Sequence, residues 1–193
     1  RLSLAMIAHD YTNTDIARRN PLYNDPVADA NQTQPQLVSS GEEEFRGLAF
    51  QAGWKPDDVW TFTGRVVWQD AITVSSPDLP EEEGRPLAGV PRFTATLGAS
   101  HRVAAGRLRG LNLGASLNHI GDTVQTYERS DRVQVEYPAY QVVGLRASYT
   151  WKSGEVTHTA SLSVANALDT DLLAKVARVG AERSLTASWR VAW

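Results

Sequence analysis

Four arginines occupy the polar positions of segments in which polar and apolar residues alternate: Arg65, Arg102, Arg146 and Arg190. A guanidinium group stays charged at physiological pH and binds carboxylates through paired hydrogen bonds. On the inside of a protein such a charge is costly unless it is paired or hydrated. Two roles are therefore open: pairing with carboxylates or simple hydration, which we favour, or a positive field that attracts an anionic ligand.

No enzyme or metal chemistry is indicated by the remaining polar residues. The sequence has no GxSxG elbow, P-loop, HExxH or GxGxxG motif. The histidines are scattered singly, whereas a metal site needs converging ligands: His9, His101, His119 and His158. The acidic runs 42–44 and 81–83 favour a solvated surface. We therefore predict no catalytic residue, no cofactor and no metal ligand.

Composition excludes further classes of protein. The net charge of −3 over 193 residues gives no basic face for nucleic acid. With no cysteine, the chain has neither disulfides nor thiolate metal sites. No run of about 18 apolar residues is present, so no transmembrane helix is expected.

The dominant pattern is an alternation of apolar and polar residues with a period of two, which is typical of strands with one apolar face. It predicts about eight strands, at 2–11 (continuing towards 19), 45–54, 59–70, 93–103, 111–118, 143–151, 159–165 and 184–193. The links between them alternate in length. Short turns are expected at 55–58, 104–110 and 152–156, and long loops at 12–41, 75–91, 121–138 and 169–182. This layout is typical of an up-and-down outer-membrane barrel, whose short turns lie in the periplasm.

Four tryptophans lie beside the expected short turns or at the chain end: Trp54, Trp60, Trp151 and Trp193. Indole rings collect at membrane interfaces because they bury an apolar ring while the N–H stays near water. The polar faces carry Thr, Ser, Asn, Gln and Gly rather than dense Lys and Glu. Both features favour strands that face lipid over a soluble β-sandwich, and they place the C-terminus at the periplasmic rim.

Five stretches resemble the C-terminal barrel segment of TonB-dependent outer-membrane receptors of the siderophore type. SSGEEEFRGLAFQAGWKP (39–56) is similar to a Gly-Glu…Arg-Gly strand of that family, and GRPLAGVPRFTATLGASHRV (84–103) to its re-entry into the barrel. PAYQVVGLRASYTW (138–151) is similar to its Pro-Gly-Tyr strand. VANALDTDLL and GAERSLTASWRVAW (164–173 and 180–193) resemble its Asn-Leu-Phe-Asp motif and final strand. Ala139, Ala167, Leu168 and Trp193 depart from the usual residues.

The resemblance implies an all-β, antiparallel, up-and-down transmembrane barrel of about 22 strands around an N-terminal plug domain. Residues 1–193 would be its last eight strands, without the plug and the earlier strands. The implied function is TonB-coupled uptake of a scarce ligand, most simply a ferric siderophore, across the outer membrane of a Gram-negative cell. Implied partners are outer-membrane lipid, the plug, the TonB complex and the ligand.

Within this resemblance, the four arginines would face the lumen and contact the plug. Basic and aromatic loop residues suit an anionic or aromatic ligand in the outer vestibule, although a generic loop role is equally open: Arg18, Arg19, Tyr23, Tyr127, Arg129 and Tyr137.

Two other classes of protein remain possible on the sequence alone. A complete eight-stranded outer-membrane protein, structural or lipid-modifying, predicts that the first and last strands pair. A soluble all-β binding domain predicts that the tryptophan-bearing faces are buried against each other.

Overall fold

A computed structural model describes residues 1–20, 22–77, 79–126, 134–170 and 182–193. This part of the chain contains ten strands and one 3-10 turn: β1 (Leu2–Arg19), β2 (Leu37–Trp54), β3 (Trp60–Ser75), the 3-10 turn (Pro80–Glu82), β4 (Phe93–Arg102), β5 (Leu111–Ile120), β6 (Thr123–Thr126), β7 (Gln134–Tyr137), β8 (Tyr140–Ser153), β9 (Val156–Ala165) and β10 (Ser184–Ala192). Eight of them form one antiparallel sheet in the order β1-β2-β3-β4-β5-β8-β9-β10, and β6 pairs with β7 in a separate hairpin. No described helix has the length and apolar character needed to cross a bilayer.

The register keeps most of the large apolar side chains on one face, because directly paired residues of neighbouring strands point to the same side. One such row runs across six strands: Trp60, His101, Leu113, Ala147, Leu162 and Ala187. No second layer covers this apolar face in the described part of the chain. The only apolar side chains found buried in the described part of the chain are those of Ala49 and Ala71, and both have the parity of the polar face. The soluble-domain alternative required buried tryptophan faces, and Trp54, Trp60 and Trp151 are instead exposed on this apolar face.

The sheet is open. Among the described residues β1 pairs with β2 alone and β10 with β9 alone, so β1 and β10 are the two edges. The pairing of first and last strands that a complete eight-stranded barrel requires is therefore not found.

Connections alternate in length, as predicted. The links β2–β3, β4–β5 and β8–β9 are short and lie at one rim, which we call the short-turn rim. The β8–β9 link is a two-residue turn in which Gly154 adopts a positive φ of 65°. The other four links, 20–36, 76–92, 121–139 and 166–183, join strand ends at the opposite rim, which we call the long-loop rim.

β1 reaches Arg19, the continuation that the sequence predicted, whereas β2 begins at Leu37, before its predicted start at 45. The predicted loop 12–41 shrinks to 20–36, because β1 continues to Arg19 and β2 begins at Leu37. The segments 12–19 and 37–44 carry mostly polar residues and are joined by the ion pair of Arg18 with Glu43. Where a strand extends beyond the apolar face of the sheet, water lies on both of its sides, so apolar and polar residues no longer alternate. The hairpin β6–β7 inside 121–138 was likewise missed.

Loop 20–36 is organised around buried Asp29, which is 4% exposed. Its carboxylate accepts hydrogen bonds from the backbone N–H groups of Thr33 (2.7 Å), Gln34 (2.9 Å) and Asn24 (2.9 Å). The Gln34 N–H most of all, together with those of Asn24 and Thr33, lowers the pKa of Asp29 below its ordinary value, against the opposing effect of burial. The loop is therefore a folded element held by an ionised carboxylate.

We expect Asp29→Asn to loosen this loop, because an amide nitrogen cannot accept the Asn24 N–H. A lowered folded-state pKa stabilises the loop fully above the ordinary aspartate value of 3.8, and the effect is lost as the pH falls below it. Amide protection factors at Thr33 and Gln34, which are hydrogen-exchange rates corrected for the intrinsic effect of pH, should therefore be lower in the variant at neutral pH and should fall on acidification in the wild type only. Asp58→Asn, at the opposite rim, is the control. Equal exchange in D29N and wild type would refute the assignment.

Candidate ligand-binding and lumen face

The four predicted arginines share the polar face of the sheet. Arg65 lies between Gln51 and Thr96, and Arg146 between Gly114 and Ser163. Arg102 and Arg190 lie on the same face, nearer the short-turn rim. All four side chains are exposed, and an Arg102 Nη donates to the Asp58 carbonyl oxygen at 3.0 Å. The shared face was predicted from alternation; the partners of the arginines stay a prediction.

Small residues surround Arg146 on this face. A shallow trough of about 400 Å³ is lined there by Gly98, Ser116, Gly144 and Ser163 among others. Side chains this short leave room for a neighbouring protein surface to approach the backbone closely. The middle of the polar face therefore combines accessible space with fixed positive charge.

At the long-loop rim the same face contains a second cavity of about 410 Å³, which we call the rim cavity. It is lined by Arg18, Glu43, Phe45, Thr73, Leu79, Glu82, Arg85, Pro86, Leu87, Ala88 and Val90. Phe45 stacks on Tyr11 with ring centroids 4.8 Å apart. The cavity thus offers charged groups of both signs and an aromatic surface.

Arg18 links three elements of this cavity. Its guanidinium lies 3.6 Å from Glu43 on β2 and 3.6 Å from Glu82 in the 3-10 turn, and the side chain is 17% exposed. Two carboxylates therefore balance one positive charge, and that charge holds loop 76–92 against the sheet.

Backbone hydrogen bonds also hold loop 76–92 against the sheet. The N–H of Gly84 and the N–H of Leu87 donate to Thr73 (2.8 Å) and Ala71 (2.9 Å) on β3. The Gly89 N–H reaches Val124 of β6 at 2.8 Å. The loop thereby forms a strap between β3 and the β6–β7 hairpin, above the polar face.

Of the predicted ligand residues, Arg18 alone is found to line the rim cavity in the described part of the chain. Arg19 follows it directly on β1 and so lies on the opposite face. Tyr23 is half-buried in loop 20–36, and Tyr137 is half-buried on β7 opposite Thr123. Tyr127 and Arg129 lie outside the described residues.

The other charged and aromatic residues of the cavity were missed from the sequence: Glu43, Phe45, Glu82 and Arg85. Phe45 has the same parity as Gly47 and Ala49, which were placed on the polar face, so alternation could have found it. Glu82 and Arg85 reach the cavity only because loop 76–92 folds back, and no local pattern signals this.

Arg18→Gln should release loop 76–92, because it removes both ion pairs and leaves Glu43 and Glu82 facing each other without a cation. We expect a loss of about 1–3 kcal/mol in the stability of the loop's closed position, between the values for exposed and buried pairs. Limited proteolysis within 76–92 measures it. Arg92→Gln is the matched control, since the Arg92–Asp70 pair is largely exposed and should contribute less than about 1 kcal/mol. Equal protease sensitivity of R18Q and wild type would contradict this role.

The apolar face carries aromatic residues in two bands. At the short-turn rim Trp54 and Trp60 both stack on Phe62, and Trp151 stacks on Tyr149; Trp193 ends the chain there, 96% exposed. The second band includes Trp68 and Phe93 near the long loops. Trp60 and Trp68 are separated by about 27 Å along β3 at 3.4 Å per residue, close to the apolar height of a bilayer-spanning barrel once tilt is included.

The sheet has one apolar and one polar face, two aromatic bands on the apolar face, and loops that alternate in length. These features define the class of structure, which is the wall of an outer-membrane-type β-barrel. The chain belongs to the TonB-dependent receptor-like β-barrel family, whose model matches residues 13–167. Membership in this family implies the outer membrane of a Gram-negative cell.

Solved structures give the same fold at low identity. FpvAI in its complex with pyocin S2 matches with a TM-score of 0.73 and 18% identity, over 98% of this chain and 25% of that one. BauA, the ferric preacinetobactin receptor of Acinetobacter baumannii, matches with a TM-score of 0.66 and 20% identity, over 97% and 26%. Fiu, the ferric-catecholate import receptor of E. coli, matches with a TM-score of 0.62 and 18% identity, over 89% and 21%.

The chain thus spans about a quarter of the length of these receptors. No curated protein matches it significantly in sequence. The family and the similar structures are transport receptors rather than enzymes, in agreement with the absence of enzyme motifs from the sequence.

Proposed function

We propose that residues 1–193 form the last eight strands of a TonB-dependent outer-membrane receptor that takes up a ferric siderophore. The main observation behind this proposal is the open antiparallel sheet. Its polar face holds four arginines, and long loops lie at one of its rims. Names of the similar structures add support, since they include a ferric preacinetobactin receptor and a ferric-catecholate import receptor.

The open edges support a larger barrel. Unpaired backbone N–H and C=O groups are not tolerated at an edge that faces hydrocarbon, so β1 and β10 need further strands as partners. A barrel of about 22 strands is wide enough to hold a plug domain. In this proposal the plug and earlier strands lie elsewhere in the receptor, and the plug's carboxylates face Arg65 and Arg146.

The two rims then have separate roles. The long loops are extracellular and capture the ligand, and the short-turn rim with the C-terminus is periplasmic. Arg85 in the rim cavity, with the tyrosine and arginine residues of the neighbouring loops, supplies positive charge and ring surface for an anionic chelate, while Arg18 and its two glutamates hold loop 76–92 at the edge of this cavity. The mechanism is binding followed by plug rearrangement with TonB-coupled energy, and it involves no covalent step.

Uptake of radioactive iron tests the proposal. Cells lacking the full-length receptor are grown under iron limitation and supplied with ⁵⁵Fe bound to catecholate, hydroxamate or mixed siderophores. We expect one class to lose uptake, to regain it when the receptor is restored, and to lose it again in a TonB-deficient strain. Uptake of every class at wild-type rate in the deletion strain would refute the siderophore assignment, and uptake independent of TonB would refute the coupling.

A further inference from the structure

The apolar face is not uniform near the short-turn rim. A groove of about 500 Å³ crosses β4, β5, β8 and β9, with Ala99, Ala115 and Ala147 as its floor and with Trp60, Leu145 and Leu162 along its sides. Its volume lies in the range of about 300–1,000 Å³ that small-molecule sites occupy. The lining is almost wholly apolar, which suits a hydrocarbon chain.

Two histidines on this part of the apolar face contact tryptophan rings. His101 lies 4.4 Å from Trp60 between ring centroids, and His158 lies 5.1 Å from Trp151 and 5.7 Å from Trp189. The Nδ1 atoms of both histidines are buried and have no hydrogen-bond partner within the described chain. These two atoms are covered by the chain itself, so a group from outside the chain meets the accessible part of each half-buried imidazole ring and not its Nδ1.

Positive charge is concentrated on the turn next to the groove. The turn 103–110 joins β4 to β5, the strands that carry His101 and Leu113. Its tip has Arg107 and Arg109 with Leu108 between them, 58% exposed, and it has no acidic residue. The other two short turns contain acidic side chains, Asp57 and Asp58 in one and Glu155 in the other. Two guanidinium groups beside an apolar groove are complementary to a phosphate attached to an acyl chain.

We propose that this groove is a binding site for one anionic phospholipid of the periplasmic leaflet. An acyl chain lies over Ala99, Ala115 and Ala147, and the phosphate lies between Arg107 and Arg109. The glycerol and ester region reaches the depth of His101. This inference rests on the proposed function for its orientation, which places the short-turn rim in the phospholipid leaflet.

Lipid retention tests the site. The full-length receptor is reconstituted with equal amounts of phosphatidylglycerol and phosphatidylethanolamine of the same acyl chains, extracted in mild detergent, and its bound lipids are counted by native mass spectrometry. We expect a preference for phosphatidylglycerol of about fivefold for each arginine, the effect of one basic residue at an anionic surface. The double substitution Arg107→Gln with Arg109→Gln should abolish the preference, and Ala147→Leu, which fills the groove, should reduce both lipids.

Matched controls separate the site from general effects. Lys152→Gln removes a positive charge from the end of β8, beside another short turn, and Ala52→Leu enlarges an alanine on the same face outside the groove; both should retain the wild-type preference. Equal retention of the two lipids by wild type, or an unchanged preference in R107Q/R109Q, would overturn the site. If A147L does not fold, the exposed turn variant decides the question alone.

The same variants, assayed for both lipid retention and iron uptake, distinguish this inference from the transport proposal. The turn 103–110 lies at the opposite rim from the rim cavity, so R107Q/R109Q should take up ⁵⁵Fe-siderophore at the wild-type rate. Uptake without lipid preference overturns the lipid site alone, whereas lipid preference without uptake overturns the transport proposal alone. Selective retention of lipopolysaccharide at these residues would overturn both the orientation and the site.

Discussion

Leu97→Arg should prevent stable membrane insertion of the receptor, whereas Asn118→Arg, on the opposite face at nearly the same depth, should be tolerated. Leu97 is 48% exposed on the apolar face and pairs with Gly64, midway between Trp60 and Trp68 on β3. An arginine at the bilayer midplane on the lipid face of a barrel costs about 2–4 kcal/mol. Asn118 lies on the polar face beside Thr96, where a guanidinium stays hydrated.

Folding into lipid vesicles measures this difference. The fraction of folded full-length receptor is followed by its heat-modifiable mobility on gels and by urea titration, with each variant compared with the wild type. Insertion of L97R at the wild-type level, with an unchanged urea midpoint, would mean that the tryptophan-bearing face does not meet hydrocarbon. Equal losses for both variants would point to a general effect of added charge instead.

Strand number and facing could be predicted from the sequence because the lipid imposes them. Between the two aromatic bands each strand has lipid on one side and a polar face on the other, so residues such as Leu145 and Arg146 must alternate. Outside the bands the constraint disappears. The polar residues of 37–44 therefore gave no strand signal, and those of 12–19 predicted only a continuation of the first strand, although the Arg18–Glu43 ion pair joins the two segments.

The candidate site could be predicted only in part, for a related reason. Parity along a strand places Arg65 and Arg146 on the polar face without knowledge of any loop. The rim cavity depends on where loop 76–92 folds, and the contact of Arg18 with Glu82 spans 64 positions in sequence. Long-range ion pairs and backbone bonds of this kind have no local signature, so Arg18 was predicted as a ligand contact and its two glutamate partners were not.

Gly110→Ala, in the turn 103–110, should cause the largest loss in the free energy of unfolding among substitutions outside the lipid-facing positions, because this turn approaches β8 closely. Gly110 has a positive φ of 97°, and a Cβ on it would collide with the carbonyl oxygen of Thr150. Its own carbonyl accepts the Thr150 N–H at 3.1 Å, which extends the β5–β8 pairing to the rim. Gly110→Ala must therefore either displace β8 or break this bond, in addition to the cost of about 1–2 kcal/mol for a left-handed alanine.

Gly106→Ala separates these two costs, because Gly106 lies in the same turn with a φ of 76° but a Cβ there would contact nothing within 4 Å. We expect G106A to lower the free energy of unfolding by about 1 kcal/mol, since the backbone cost is partly offset by a less flexible unfolded chain. G110A should lose about 1–3 kcal/mol more, as overpacked sites do. Urea titrations of both variants in vesicles provide the comparison. Equal midpoints would show that β8 gives way freely at Thr150, and the rim would then be held by the Trp151–His158 stack rather than by this backbone contact.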